Sequence, residues 1–594
     1  MTETPPRFLS FDSRRAAQIL LLFVLLLYAW VIVCGWVNWD DTIYFLNPYL
    51  QEGFSWASLH WALTDTDAVH MWIPLTWVSI LLDQTIFGGN PAGSHLVNLL
   101  LHAANTLLLL HLLRRLTQRD WPSFFVAALF AVHPQHVEVV AWATERKELL
   151  AALFGLLALH QYVTFTQARG QGLSLGDMRV IQPLAGSLLG YFLSLTAKPM
   201  WITLPFVLLL LDGWPLRRWQ KFRWSLLGEK LFYVPILLGI VLLTRHIYKT
   251  PSFAADGVSF WDLLPYTLLN YINYLTKTFF PVGLAPLYPL PLTKPDFPEM
   301  AGAALLLLAG TGLAWRWVRS HPWLLVGWLW FLGTLVPVSG IVHLGRHAIT
   351  DRFTYLPHMG LFMALAWEVD HQANRWRIDP LHVARGALVV LGICAVLAWQ
   401  QIGIWRDSMT LWSHTVATTR NNHYAHHMLA SLYMEERHLE QAEREIQQAV
   451  DLQPGQIDYA ILQADIAYRR GNKAAALQQL QTLATKYPDT PKILLKMAMI
   501  HMQEEAFSQA LPLLRQAMGP GGKETPSIRH ADAALEAEFN LGLILALQGQ
   551  GTAAQPHLDH VFRVQPWLRH QRCTLLEALA KHTVKLPACA ALHP

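Results

Sequence analysis

The run AQILLLFVLLLYAWVIVCGWV, residues 17–37, decides the fold class. A helix of about 20 apolar residues, rising about 1.5 Å per residue, crosses the hydrocarbon core of a bilayer. The run is longer than the apolar core of a cleaved leader, and no small-residue cleavage site precedes the polar segment that follows. It reads as a retained signal anchor. Comparable runs are centred on Leu107, Ala128, Leu156, Leu188, Val207, Leu237, Leu307, Leu329, Met363 and Ile393. Together they make about eleven spans by the length criterion.

Beyond Trp405 the long apolar runs stop, which divides the 594 residues into a membrane domain, 1–404, and a soluble helical domain, 405–594. Averaged over both, 53% of residues are apolar and 14% charged, on the membrane side of soluble usage. A net charge of +4 with no basic stripe argues against a nucleic-acid partner. The four cysteines, Cys34, Cys394, Cys573 and Cys589, form neither a CxxC pair nor a zinc spacing, so no metal or redox motif is indicated.

Short loops rich in Lys and Arg stay cytoplasmic. Such clusters are Arg14 and Arg15, then Arg114, Arg115 and Arg119, then Arg217, Arg218, Lys221 and Arg223, then Arg316 and Arg319, then Arg375 and Arg377. Alternation places a large first loop, 38–93, the turn His133 to Glu148, Lys198, the loop Leu284 to Pro295 and the segment Gly345 to Pro357 on the other face. The last span exports everything after Trp405. Trp72 to Phe87 and Leu263 to Phe280 break the parity if they cross, and both mix aromatics with polar residues, so they read as interfacial helices.

In the exported part a period of 34 residues appears, the tetratricopeptide length. Repeats fall near 423–456, 457–490, 491–524 and 535–568. Ala430, Ala442 and Ala449 recur one period on as Ala464 and Ala476, then as Ala498 and Ala510, and a last copy carries Gly542 and Ala554. Small residues at these positions let paired helices approach closely, and Pro454 and Pro488 end second helices. The stretch Gly519 to Asp532 is an insertion. Such an array offers a concave surface to a peptide or protein partner.

Polar residues on the exported face carry the functional signal, because an ionisable group at membrane depth is costly unless used or paired. Asp40 and Asp41 follow the first span. Alone they would be an ordinary helix N-cap. Three further outer turns, however, bring His133, His136, Glu138, Glu145 and Lys147, then Lys198, then Arg346, Asp351, Arg352 and Tyr355 to the same side.

The Asp-Asp pair, HPxHxExVAWxxERKE from His133, AKPMxxTLPFVLLLLDxWPL from Ala197 and DRFTYLPxxGL from Asp351, followed by the repeats, closely resemble bacterial relatives of the transmembrane and tetratricopeptide-repeat protein family. The resemblance covers nearly the whole chain. It implies an all-α architecture, a polytopic GT-C glycosyltransferase domain followed by a tetratricopeptide superhelix. It also implies transfer of a sugar from a polyprenyl-phosphate carrier on the non-cytoplasmic face, with eukaryotic members linked to protein O-mannosylation. The family's essential acid after the first span matches Asp40 or Asp41. Its distant protein-mannosyltransferase branch has Glu as the second residue, where this chain has Asp.

That chemistry needs a base for the acceptor hydroxyl, worth roughly 10²–10⁴-fold, and cations for the leaving phosphate. Asp40 and Asp41 are the candidate catalytic residues. Lys198, Arg352, Arg346 and Lys147 are candidates for the donor phosphate, with interfacial snorkelling or ion pairing as their structural alternative. His133, His136, Glu138, Glu145, Asp351 and Tyr355 are further site candidates. The histidine spacing matches no metal signature, so no metal ligands are assigned; no cofactor is required, and a divalent ion is left open. Trp39 or Trp72 could stack on a sugar, and Tyr288 could flank the donor. The expected partners are a lipid-linked sugar, a protein or surface-glycan acceptor and a protein bound by the repeats, and a bacterial inner membrane with periplasmic repeats is the expected setting. The competing readings are a non-enzymatic scaffold for envelope assembly and a transporter; a transporter would carry its charges at mid-membrane rather than at one face.

Overall fold

In the computed structural model, which describes residues 13–51, 53–221, 224–247, 260–290, 295–340, 347–519 and 528–564, nearly all regular structure is helix. The exception is a two-strand antiparallel pair, Tyr288–Pro289 with His347–Ile349. The chain forms two compact units, Met1–Arg420 and Asn421–Pro594.

In the first unit, each expected span centre falls within a helix. Six helices are long and apolar enough to cross a membrane, or up to eight if two bent pairs each count as one span. The bent pairs are Asp120–Val132 with Pro134–Ala141 and Trp224–Leu231 with Val234–Ile247, angled by 55° and 44°. Pro199–Gly213 and Pro322–Val338 are apolar but shorter. Pro357–Arg375 carries Glu368, Asp370 and Arg375 along its last two turns. By this measure the eleven spans reduce to six to eight. Two of the differences have a local reason: His133-Pro134 and Lys198-Pro199 interrupt apolar runs, because Pro has no N–H to continue a helix and restricts the residue before it. The two segments read as interfacial form the helices Pro74–Phe87 and Phe260–Phe279, neither of which is among the candidate spans.

Helices approach closely where small residues meet, as membrane bundles require. A Cβ on Gly327 would lie 2.3 Å from the Gly360 carbonyl oxygen, which fixes how Pro322–Leu335 crosses Pro357–Arg375. The first loop folds as short helices around its own core of Tyr44, Phe45, Trp77, Ile80 and Leu81, with Ala143 from the neighbouring turn.

Residues 405–420 depart from the expected domain boundary after 404. They belong to the first unit, because the helix Ser408–Thr418 buries Leu411, Trp412 and Thr415 and is tied to the first loop: the Asn38 amide donates to Ser408 Oγ at 2.8 Å and Trp412 Nε1 donates to Asn38 Oδ1 at 2.8 Å.

The second unit is a row of helical hairpins. They are His423–Glu435 with Leu439–Leu452, Ile457–Arg469 with Lys473–Lys486, Pro491–Gln503 with Phe507–Ala517, and Ile528–Leu547 with Gly551–Val564. The last hairpin begins ahead of the expected residue 535, and 565–568 of that repeat, Cys573 and Cys589 lie outside the described residues. Ala430, Ala442, Ala464, Ala476, Ala498, Ala510 and Ala554 are fully buried at the hairpin contacts. A Cβ on Gly542 would stand 2.9 Å from the Leu558 side chain, so this crossing needs glycine.

Candidate functional site

Asp41 opens the short helix Asp41–Phe45 and is buried. Its Oδ2 accepts from the Val37 amide at 2.9 Å, and its Oδ1 accepts from the Thr144 amide at 3.1 Å and from the Thr144 hydroxyl. It staples the first loop to the turn at Ala143–Glu145. Burial pushes its carboxyl up from 3.8 to about 6, against those hydrogen bonds, with the neighbouring Asp40 charge a minor contribution. Asp40 is half-buried, and its carboxylate makes no hydrogen bond or ion pair among the described residues. Its charge does act on the Arg352 guanidinium. Of the two carboxylates, Asp40 is therefore the one free to meet a ligand.

Arg352 stands in the 3-10 turn Asp351–Thr354 and is buried. Its Nη1 pairs with Glu138 Oε1, its amide donates to Glu138 Oε2 at 3.1 Å, and its Nε lies 3.4 Å from Glu145 Oε1. Three rings surround the guanidinium, Trp39, Trp142 and Phe353, with centroids 5.4, 5.2 and 5.1 Å away. Trp39 stacks on Trp142 at 4.6 Å. The Trp142 indole N–H is buried without an acceptor among the described residues.

Glu145 is the hub. Lys147 Nζ lies 3.2 Å from its Oε1, and Lys198 Nζ donates to its Oε2 at 2.9 Å. Glu148, one helical turn on and on the same face, lies 2.9 Å from Lys198 Nζ as an ion-pair contact whose oxygen accepts no aligned hydrogen bond. Arg146 turns the other way and pairs with Asp83 at 2.8 Å, holding the first-loop helix Pro74–Phe87. Lys198, Arg352 and Lys147 thus meet three carboxylates, Glu138, Glu145 and Glu148. Lys147 has the lightest protein pairing, a single shared carboxylate, and its ammonium also sits over Tyr44 and Trp142, 4.7 and 5.3 Å from their centroids.

Asp351 is held at the edge of this cluster by Gln135 Nε2 at 3.1 Å and the Tyr288 hydroxyl at 2.9 Å. Burial raises its carboxyl above the usual range, opposed first by the Lys277 ammonium. Tyr288 so stands beside the site. Trp72 does not, since its Nε1 donates to the Leu63 carbonyl and its ring lies toward Phe192. Arg346 lies outside the described residues.

His133, His136 and Tyr355 belong to a separate buried network. His136 Nδ1 must donate to the Phe130 carbonyl at 2.7 Å, its Nε2 lies 3.0 Å from His358 Nδ1, and His358 Nε2 lies 2.9 Å from the Thr278 hydroxyl, whose proton goes to the Tyr274 carbonyl at 2.7 Å. His133 Nε2 donates to the Thr278 carbonyl at 3.0 Å. Tyr355 bonds His102 at 2.8 Å. Each imidazole here is in hydrogen-bond contact through both ring nitrogens, and no group of three His, Cys, Asp or Glu among the described residues is placed to hold a metal ion. His358 and Glu148 were missed as site-forming residues. Glu148 had a signal, its spacing of three from Glu145; His358 had none, since its partners lie on other segments.

Fold and site together define a polytopic helical membrane protein with a buried ionic cluster at one end of its helices and a helical-repeat unit. Over 199 residues the chain is 33% identical to protein O-mannosyl-transferase Tmtc2 of Drosophila melanogaster, a match covering 32% of this chain and 21% of that protein. It is 37% identical over 115 residues to protein O-mannosyl-transferase TMTC2 of Homo sapiens, covering 19% and 13%. With protein O-mannosyl-transferase TMTC1 of Mus musculus it shares 38% over 127 residues, covering 20% and 13%. The chain thus spans 21% or less of the length of these relatives. No family model matches it.

Proposed function

We propose that the protein is a membrane glycosyltransferase that moves a sugar, mannose first among the candidates, from a polyprenyl-phosphate carrier to a hydroxyl of a protein acceptor. The relatives' names support the transferase class and the protein acceptor. The observation that carries the reading is Asp40: a carboxylate without a partner among the described residues, whose charge acts on Arg352 of the buried ionic cluster.

The reaction is an in-line displacement with inversion. Asp40 takes the proton of the acceptor hydroxyl, the oxygen attacks the anomeric carbon, and the bond from that carbon to the carrier phosphate breaks, the electron pair leaving on phosphate. Such a base contributes roughly 10²–10⁴-fold. Lys147, with Arg352 and Lys198 behind it, meets the charge on the departing phosphate; one well-placed donor of this kind is worth about 3–4 kcal/mol. The Trp142 N–H is free to donate to the same ligand. No protein cofactor enters this scheme. Asp41 holds the loop and Asp351 with Tyr288 borders the donor. The repeats recruit the acceptor or a partner protein, and the setting is a bacterial inner membrane with Asp40 and the repeats on the periplasmic side.

The test is transfer by the purified full-length protein from a panel of radiolabelled polyprenyl-phosphate sugars to a membrane-protein extract. Label moving to protein with wild type, and not with Asp40→Asn, supports the reading. Absence of transfer from every donor, or equal transfer by the variant, removes it.

A further inference from the structure

At the far end of the helices from Asp40, three of them enclose an apolar cavity of ≈ 460 Å³, within the roughly 300–1,000 Å³ range of small-molecule sites. Trp121 and Phe125 of Asp120–Val132, Val369 and Ala373 of Pro357–Arg375, and Val383 and Val390 of Pro380–Ile404 wall it. Leu388 and Val389, on the last of these helices, are exposed. On a membrane span, exposed means facing lipid, so the cavity lies beside the bilayer interior.

Charge collects in the chain that adjoins it, next to Ile378 and Gly386 of its wall. Arg375 and Arg377 stand where two of the three helices join, with Arg385 on the turns that follow. All three are exposed, and their guanidinium groups have no ion pair or hydrogen bond among the described residues. The carboxylates nearby are engaged: Asp370 with Arg119, Asp120 with Arg114, Glu368 with the Trp323 indole and the Gln372 amide, and Asp379 as a cap on the Leu381 amide. Trp376 is exposed between the arginines, as an aromatic at the headgroup level would be.

We propose that this cavity binds one acyl chain of an anionic phospholipid, whose phosphate lies against Arg375, Arg377 and Arg385. Apolar walls with three unpaired guanidinium groups at one end match the two halves of such a molecule, and basic pockets between spans recognise such headgroups. A zwitterionic lipid gains the walls and brings the same phosphate, but its own ammonium offsets the attraction to the arginines. Under the charge alternation this is the cytoplasmic leaflet, opposite the ionic cluster, and the site stands whether or not the protein transfers sugar.

The full-length protein, purified in detergent with equal amounts of phosphatidylglycerol and phosphatidylcholine, is read by native mass spectrometry. One phosphatidylglycerol should be retained per chain, preferred by at least about tenfold, as three cations near a lipid surface imply. Arg375→Ala, Arg377→Ala and Arg385→Ala together should abolish the preference, and all three are exposed side chains whose loss leaves the walls intact. Gly386→Leu should displace either lipid, because a Cβ there meets nothing within 4 Å and fills space without a clash. Each variant decides alone. Equal retention of both lipids by wild type, undiminished phosphatidylglycerol in either variant, or a second copy of the chain covering the cavity overturns the proposal.

Discussion

Asp40 and Asp41 are neighbours with different duties, and substitution separates them. Asp40→Asn keeps the shape and removes the proton acceptor, so transfer should fall at least about a hundredfold with thermal stability unchanged. Asp41→Asn places an NH₂ against at least one of the three donors that now share the carboxylate, the Val37 amide and the amide and hydroxyl of Thr144; the melting temperature should drop, with a cost of about 1–3 kcal/mol for a buried mismatch. The pH dependence has a definite sign. The folded carboxyl of Asp41 sits at about 6 against an ordinary 3.8, so between these values the folded state binds more protons than the unfolded one. The stability of wild type relative to Asp41→Asn should therefore fall as pH rises from about 4 to about 6 and level off above. A difference rising with pH would contradict this assignment.

The lysines divide in a similar way. An anionic partner for Lys198 was readable from the cost of burying an ammonium, but that it is Glu145 and Glu148 was not, since the contact joins two segments across the bundle. Lys198→Met leaves two buried carboxylates short of a cation and should lower stability. Lys147→Met leaves Glu145 still facing Lys198 and Arg352, so it should preserve the fold and weaken donor binding, measured by titration with a polyprenyl phosphate. A fully stable Lys198→Met protein alongside an unfolded Lys147→Met protein would reverse the two roles.

Among the elements, Ser408–Thr418 most changes the picture drawn from sequence. Hydropathy ends the membrane domain at 404 because it scores each residue's own solubility and not what a helix packs against. The spacing of Leu411, Trp412 and Thr415, one stripe of a short helix, was the readable sign that this segment has a buried face. Trp412→Phe removes one hydrogen bond to Asn38, worth about 0.5–1.5 kcal/mol. Amide exchange should quicken along residues 37–45 while the hairpins from His423 onward stay protected. Unchanged exchange at 37–45 would mean that the helix does not brace the loop. The broken spans were readable in part: His133-Pro134 and Lys198-Pro199 mark the breaks, while a bend angle depends on neighbours that sequence does not display.

For the whole molecule, the repeats were the most legible part, because a short period needs only local packing. Small residues such as Ala442 and Ala476 carry the pattern by themselves and are fully buried. The ionic cluster depends on contacts across hundreds of residues, and there sequence supplied the participants without the pairings. Separability follows from the division after Arg420. A fragment beginning at Asn421 should be soluble and helical by circular dichroism, whereas one beginning at Trp405 exposes Trp405, Leu411 and Trp412, each buried in the intact chain, and should aggregate. If both behave alike, the segment 405–420 is not part of the membrane unit.

The bond between Asn38 and Ser408 joins residues 370 positions apart, and it sets a timetable for biogenesis. The segment bearing Asp40 leaves the ribosome well ahead of its brace, which is synthesised only after the span Pro380–Ile404. At roughly 5–20 residues per second the wait is about 20–70 s. Until then the nascent loop stands open to proteases and chaperones. A chain arrested at residue 404 should be cleaved within residues 38–47 by added protease, and one that extends through the repeats should resist.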